Sequence, residues 1–206
     1  MNYGYIKSKL DGTEHIFSAV KQFDIPEAYS YQKFIPRVLN QGERPICVPC
    51  SISAFLNWNI NASGSNENTV DNNINLIDIY SHKTTSGDGM TFKDALTYIR
   101  HNGVKCDKGI TKIEKYAMIG SVLALKQALI LNGPCVGAVL VYNSTDEFWK
   151  NNGNERPLGG HALSIVGYNK DGFIIRNSWG CSFGNNGYVI MKYEDFNCFL
   201  ETWTII

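Results

Sequence analysis

The chain has 206 residues, 44% of them hydrophobic and 18% charged, and its 19 Lys+Arg are balanced by 19 Asp+Glu. That length suits one domain or two small lobes sharing a core, and the even charge gives no global attraction to nucleic acid or to an anionic membrane, so neither is expected as a partner. No stretch reaches the roughly 20 apolar residues of a membrane span, and the first residues lack the apolar run of a secretory leader, which implies an intracellular protein.

The elements follow in chain order. Tyr3, Tyr5, Ile6, Ile16, Phe17 and Phe23 make residues 1 to about 24 too apolar for a free tail, and this extension is expected to pack on the body or partly over a cleft. After Cys47, the residues Ile52, Phe55 and Trp58 recur at helical spacing. Ser63 to Asn73 is polar and reads as a surface loop. Thr91 is a candidate cap for a helix that places Phe92, Ala95, Leu96 and Ile99 on one face and stops at Gly103. A third helix is predicted from about Ser121 to Leu131, ended by Gly133-Pro134. The remaining chain reads as strands: Cys135–Tyr142, His161–Tyr168, Gly172–Asn177, Gly187–Lys192 and Thr202–Ile206, with hairpin chemistry in Asn169-Lys170-Asp171-Gly172. Helices first and antiparallel strands later imply an α+β protein with a cleft between two lobes.

Six cysteines are present, at 47, 50, 106, 135, 181 and 198. Without a leader, a reduced state with one reactive thiol is the expectation. Cys47 stands just before a predicted helix, where the positive end of the helix dipole favours thiolate. Upstream, Gln41 carries a side-chain amide that suits an oxyanion, with the backbone N–H of Cys47 as second donor. His161 opens a half-buried strand behind Gly159 and Gly160, and its imidazole is placed to exchange protons with a thiol and a leaving amine. Asn177 ends an apolar strand, where its amide oxygen can accept from that imidazole, and Trp179 is placed to shield the contact. A small buried hydrophobe, a satisfied core histidine and an Asn-Ser turn are the bland readings of the same residues. His15, His82 and His101 lack any such setting and are expected at the surface.

Together these segments resemble the papain family of cysteine peptidases. The likeness lies in Gln41 six residues before Cys47, in His161-Ala162 leading to Val166-Gly167-Tyr168, and in Asn177-Ser178-Trp179-Gly180 followed by Gly184-Asn185-Asn186-Gly187. Ile25-Pro26-Glu27 and Asp88-Gly89-Met90-Thr91-Phe92 add to it, the latter resembling the strip that hydrogen-bonds substrate backbone. The resemblance implies a two-lobed fold, with a helical lobe over about 41–110 and an antiparallel, β-barrel-like lobe over about 111–206. The active-site cleft lies between them, and residues 1–24 stand apart as an N-terminal extension to the 25–206 peptidase domain. It implies an endopeptidase acting on polypeptides through a Cys47 acyl-enzyme, with His161, Asn177 and Gln41 as catalytic partners, with Gly89, Met90, Gly160 and Trp179 along the substrate, and with no cofactor or metal. Departures are Arg44-Pro45-Ile46 in place of the family's Cys-Gly-Ser, Val48 in place of an aromatic, and a Cys-to-His spacing somewhat short for the family. Compact bacterial and viral relatives, which begin with a segment like Asn2-Tyr3-Gly4-Tyr5-Ile6, are the nearer likeness; in a viral setting the location would be the virion. The oligomeric state is not readable.

Two other readings belong beside this one. Cys47-Val48-Pro49-Cys50 is also a Cys-x-x-Cys at a helix start, the arrangement of a thiol-disulfide oxidoreductase, though the βαβ setting is missing. A milder form is a Cys47–Cys50 disulfide that silences a peptidase. The third reading is a papain-like shell that only binds.

Overall fold

The computed structural model describes residues 3–19, 23–63, 69–153 and 155–206. Asn2 of the predicted opening segment and residues 64–68 of the predicted polar loop lie outside the described residues. The first element is the short strand β1 (Tyr29–Ser30), and the long helix α1 (Cys47–Ser63) follows. Pro49 falls in the first turn of α1, where a missing N–H costs nothing, and Cys50 N donates to Ile46 O at 3.0 Å. Every residue from Cys47 to Asn57 is buried, so this is a core helix rather than a surface one. Its hydroxyls Ser51 and Ser53 are tolerated there because they donate back to the carbonyls of Val48 and Cys50 at 2.8 and 2.7 Å.

Next come α2 (Leu76–Ser81) and α3 (Phe92–His101). Thr91 caps α3 as expected, its Oγ1 accepting from Asp94 N at 2.9 Å, and Arg100 and His101 lie in the last turn. Gly103, at φ 80°, then reverses the chain into the hairpin β2 (Val104–Cys106) and β3 (Gly109–Thr111), and β4 (Tyr116–Met118) follows. Helix α4 (Val122–Asn132) is capped by Ser121 Oγ accepting from Ala124 N at 3.1 Å.

The strands β5 (Cys135–Val141), β6 (Gly159–Tyr168), β7 (Phe173–Arg176), β8 (Tyr188–Met191) and β9 (Phe199–Ile205) complete the main sheet. Its order is β4-β9-β5-β6-β7-β8, with β1 added on β6, and the paired strands described run antiparallel. The α+β architecture stands, but the barrel-like expectation is corrected: the sheet is open, with β4 and β8 at its ends. Closure is blocked locally, because the outer edge of β4 already pairs with the N-terminal segment, Met118 N donating to His15 O and Phe17 N to Met118 O, both at 2.7 Å. Helices cover both faces. Val136 and Ala138 pack on the side of α1 and α3, while Cys135, Val139 and Val141 pack on the side of α4. Both faces being apolar, β5 shows no polar alternation in sequence. Among the described residues, no helix is long and apolar enough to cross a membrane.

Candidate active site

Strands β6 and β7 position two of the predicted residues. His161 lies on β6, paired with Val139 on β5, and Asn177 directly follows β7 with its N–H on Gly187 O at 3.0 Å. The ring Nε2 of His161 lies 2.7 Å from Asn177 Oδ1. Asn177 Oδ1 also accepts from Ser178 N at 2.8 Å, which fixes the direction of its oxygen. Trp179 stacks on the imidazole at 4.7 Å and 28°, and Phe148 and Tyr3 meet the ring edge-on at 6.1 and 6.3 Å. His161 is fully buried, and burial pushes its pKa down to about 4, with the Asn177 hydrogen bond opposing. Its Nδ1 is buried with no hydrogen-bond partner among the described residues.

Cys47 opens α1 and is also fully buried. Burial pushes its thiol up to about 11, although the amides of Ala162, Gly4, Val48 and Cys47 itself are directed at the sulfur and favour thiolate. Ala162 is the residue after His161, so the sulfur and the imidazole flank one stretch of β6. Gln41 is buried beside them. Its Nε2 donates to Arg44 O at 2.9 Å, its Oε1 accepts from Ser178 Oγ at 2.6 Å, and its N–H reaches Ser178 O at 2.9 Å. Gln41 is therefore tied to the residue that follows Asn177.

The N-terminal segment lies across these groups. Tyr5 N donates to Gly160 O at 3.1 Å, Met90 N to Gly4 O at 2.8 Å, and Ile6 N to Met90 O at 3.0 Å. The segment thus bridges the helical side of the cleft at Met90 and the sheet side at Gly160. Of the predicted strip, Met90 makes both backbone contacts, whereas Gly89 N donates to Tyr80 Oη and Gly89 O accepts from Thr85 Oγ1. The close approach explains the glycines. A Cβ on Gly160 would sit 2.6 Å from the Tyr5 ring, and one on Gly4 would sit 2.1 Å from Pro45 O. Further along, Ser8 contacts Glu201, and Lys93 at the start of α3 pairs with Asp11 and Glu14 at 2.9 and 2.7 Å.

Three participants escaped the sequence reading as site residues: Tyr3, Tyr5 and Glu201. The signal for Glu201 was available, because it shares strand parity with Trp203 and Ile205 and must face inward with them. His15, His82 and His101 are exposed, as expected. Cys50 is buried, and burial together with the neighbouring Cys47 pushes its thiol up to about 12 against the opposing pull of Arg176. Both are free thiols, and the antiparallel sheet offers no βαβ frame for the redox alternative.

Residues 60–205 match the family described as papain family cysteine protease. That range holds Gly89, Met90, His161, Asn177 and Trp179, and begins after Gln41 and Cys47. An uncharacterized peptidase C1-like protein of Acanthamoeba polyphaga mimivirus is 34% identical over 94 residues, covering 39% of this chain and 30% of that protein. A cathepsin B-like protein of Giardia intestinalis is 35% identical over 97 residues, covering 40% of this chain and 32% of that one. The matched stretch thus spans about a third of these relatives. Among solved structures, xylellain, a cysteine protease from Xylella fastidiosa, superposes with a TM-score of 0.82 at 23% identity, over 99% of this chain and 95% of that one. A procathepsin B of Trypanosoma congolense gives 0.80 at 15% identity, over 100% and 87%. Neither a redox protein nor a non-catalytic shell is favoured by these likenesses.

Proposed function

This chain belongs to the papain family of cysteine proteases, and from that premise we propose that it is a cysteine endopeptidase cleaving polypeptides through an acyl-enzyme on Cys47. The observation that carries the reading is the His161–Asn177 contact of 2.7 Å under Trp179, on the strand whose Ala162 amide points at the Cys47 sulfur. Cys47 gives its proton to His161 and attacks the scissile carbonyl, forming the S–C bond. The charge that develops on oxygen falls to the Cys47 N–H and the Gln41 amide. Imidazolium returns the proton to the amine as the C–N bond breaks. Water then attacks the thioester while His161 takes its proton, and the S–C bond breaks to release the acid. Asn177 steers His161 throughout, and Met90 and Gly160 offer the substrate the backbone contacts now made by Gly4, Tyr5 and Ile6.

On this reading the segment Tyr3–Ser8 is a cover that must leave before substrate enters. Labelling with an epoxysuccinyl inhibitor, read by intact mass and peptide mapping, tests the assignment. A single adduct on Cys47 of the wild type, absent in Cys47→Ala and much slower in His161→Ala, is expected. A spread of adducts over several cysteines would sink it.

A further inference from the structure

Cys50 has no part in the acyl-enzyme reading, yet it is only 1% exposed and stands about one turn of α1 after Cys47. Residues three apart on a helix face the same side, and α1 turns this side to the sheet. There Ala162 on β6 packs with Cys47. Ser164, two residues on and on the same face of the strand, donates to Ser51 O at 2.8 Å. Directly opposite Ser164 on β7 is Arg176, which is 3% exposed. Its Nη2 donates to Arg37 O at 2.8 Å, and its Nε has no hydrogen-bond partner among the described residues. Cys50 thus lies between the Cys47 thiol, which opposes its ionisation, and a buried guanidinium, which favours its thiolate. Tyr188 and Asp71 share that guanidinium. The other free thiols, at 106, 135, 181 and 198, stand on separate elements.

A bond between the two sulfurs asks for a small movement. Same-side residues of a helix have Cβ atoms about 5–6 Å apart, and a disulfide needs about 3.5–4.5 Å. Tightening the first turn by that much disturbs little, because its N–H groups have no intrahelical acceptor and Pro49 has no N–H at all. The intrahelical bond at stake is that of Cys50 N to Ile46 O, at 3.0 Å.

We propose that Cys50 is the resolving thiol of Cys47: when a peroxide reaches the uncovered nucleophile, the two close a disulfide that a small dithiol reopens. The Cys47 thiolate attacks one peroxide oxygen and the O–O bond breaks. The departing hydroxide takes the proton held by His161, which leaves water and a sulfenic acid on Cys47. The Cys50 thiolate then attacks the Cys47 sulfur, the S–O bond breaks, and hydroxide leaves as water with the proton that Cys50 gave up. In sum, two thiols lose two hydrogens and the peroxide becomes two waters. A dithiol reverses this by exchange and is itself oxidised to a disulfide. A sulfenic acid with no thiol at hand goes on to sulfinic acid, which thiols do not reverse. The pair therefore stops hydrolysis while preserving the sulfur that performs it. The proposal rests on the acyl-enzyme reading of Cys47.

The test compares the full chain with Cys50→Ser and Cys135→Ser. Each is treated with graded hydrogen peroxide, and one half of each sample is then reduced with dithiothreitol. Epoxysuccinyl labelling of Cys47 and a peptide map made without reductant are read on both halves. In the wild type, the peptide carrying both thiols should lose two hydrogens, labelling should stop, and dithiothreitol should restore it. In Cys50→Ser the same peptide should gain two oxygens on Cys47, and the labelling lost should stay lost. A serine at 50 has a carbonyl one turn back to donate to, as Ser51 and Ser53 do, and Cys50→Ala serves in its place if that variant misfolds. Cys135→Ser removes a buried thiol outside the pair and should behave as the wild type. The proposal is overturned by recovery in Cys50→Ser equal to that of the wild type. Sulfinic acid on wild-type Cys47 in preference to the disulfide, no oxidation of either thiol, or a disulfide from Cys50 to another cysteine would overturn it equally. No epoxysuccinyl label on Cys47 of the untreated, reduced wild type would overturn the acyl-enzyme reading instead. The peptide map reads the disulfide independently of that label, so the two failures are told apart.

Discussion

His161 and Asn177 are held by strands whose ladders continue on either side, β6 between β5 and β7, and β7 between β6 and β8. The segment Tyr3–Ser8 beside them is held by three backbone hydrogen bonds at Gly160 and Met90 and by a side-chain anchor at Glu201, and Asp11 and Glu14 just beyond it pair with Lys93. Shifting β6 as a strand requires breaking its ladders with β5 and β7, whereas the segment can peel from one end. The difference separates a fixed proton-transfer apparatus from a removable cover, and local opening free energies are expected to differ accordingly.

Four experiments break or sharpen that contrast. Cys47→Ala removes what the fixed side serves, and turnover of a peptide substrate should fall by about 10⁴-fold or more; retained turnover would place the chemistry elsewhere. Gly4→Ala strikes the cover. The new methyl would lie 2.1 Å from Pro45 O, a backbone atom that cannot swing aside, and overpacking of this kind should open the cleft and speed Cys47 alkylation by iodoacetamide about 10- to 100-fold. Unchanged alkylation would mean that the segment is not what shields the thiol.

The third is pH dependence. With the cover on, burial pushes the thiol up to about 11 and the imidazole down to about 4, so both groups are neutral in between. Alkylation of the wild type should rise about tenfold per pH unit toward 11, following the thiolate, and Gly4→Ala should reach the same rates at lower pH. The same shift has a stability consequence. His161 binds its proton less readily folded than unfolded, so its contribution is full above its ordinary 6.5 and is lost as pH falls toward 4. The melting temperature of His161→Gln should decline less than that of the wild type across this window. The smallest effect is expected from Lys93→Met, which loses Asp11 and Glu14. Asp11 is exposed and Lys93 half-buried, and pairs that solvent reaches contribute little and are screened by salt, so alkylation should quicken a few-fold at most, and high salt should shrink the difference.

Much of this was legible in the residues. The cap at Thr91, the ends of α4 at Ser121 and Gly133, and the strands of the second half follow from local chemistry that tertiary contacts do not override. The short pieces were not legible. Tyr116–Met118 is a strand because β9 and the N-terminal segment flank it, and three residues carry no period of their own. The extent of burial in α1 was understated because serines at 51 and 53 look polar in sequence and are silenced by their own helix. At the site, Cys47, His161 and Asn177 announced themselves through their neighbours in the chain. Tyr5 and Glu201, 196 residues apart, meet only in the folded molecule. The open sheet had no signal either, since whether β4 reaches β8 depends on what occupies its edge.

Ser178 carries a last consequence. Its hydroxyl donates to Gln41 Oε1 at 2.6 Å, its carbonyl receives Gln41 N at 2.9 Å, and its own N–H reaches Asn177 Oδ1 at 2.8 Å. One small side chain thereby references the amide of Gln41 and the oxygen that steers His161 to a common point. In terms of heredity, positions 41, 177 and 178 form a linkage group: in a randomised library, a change accepted at one of them should survive only in company with a matching change at another.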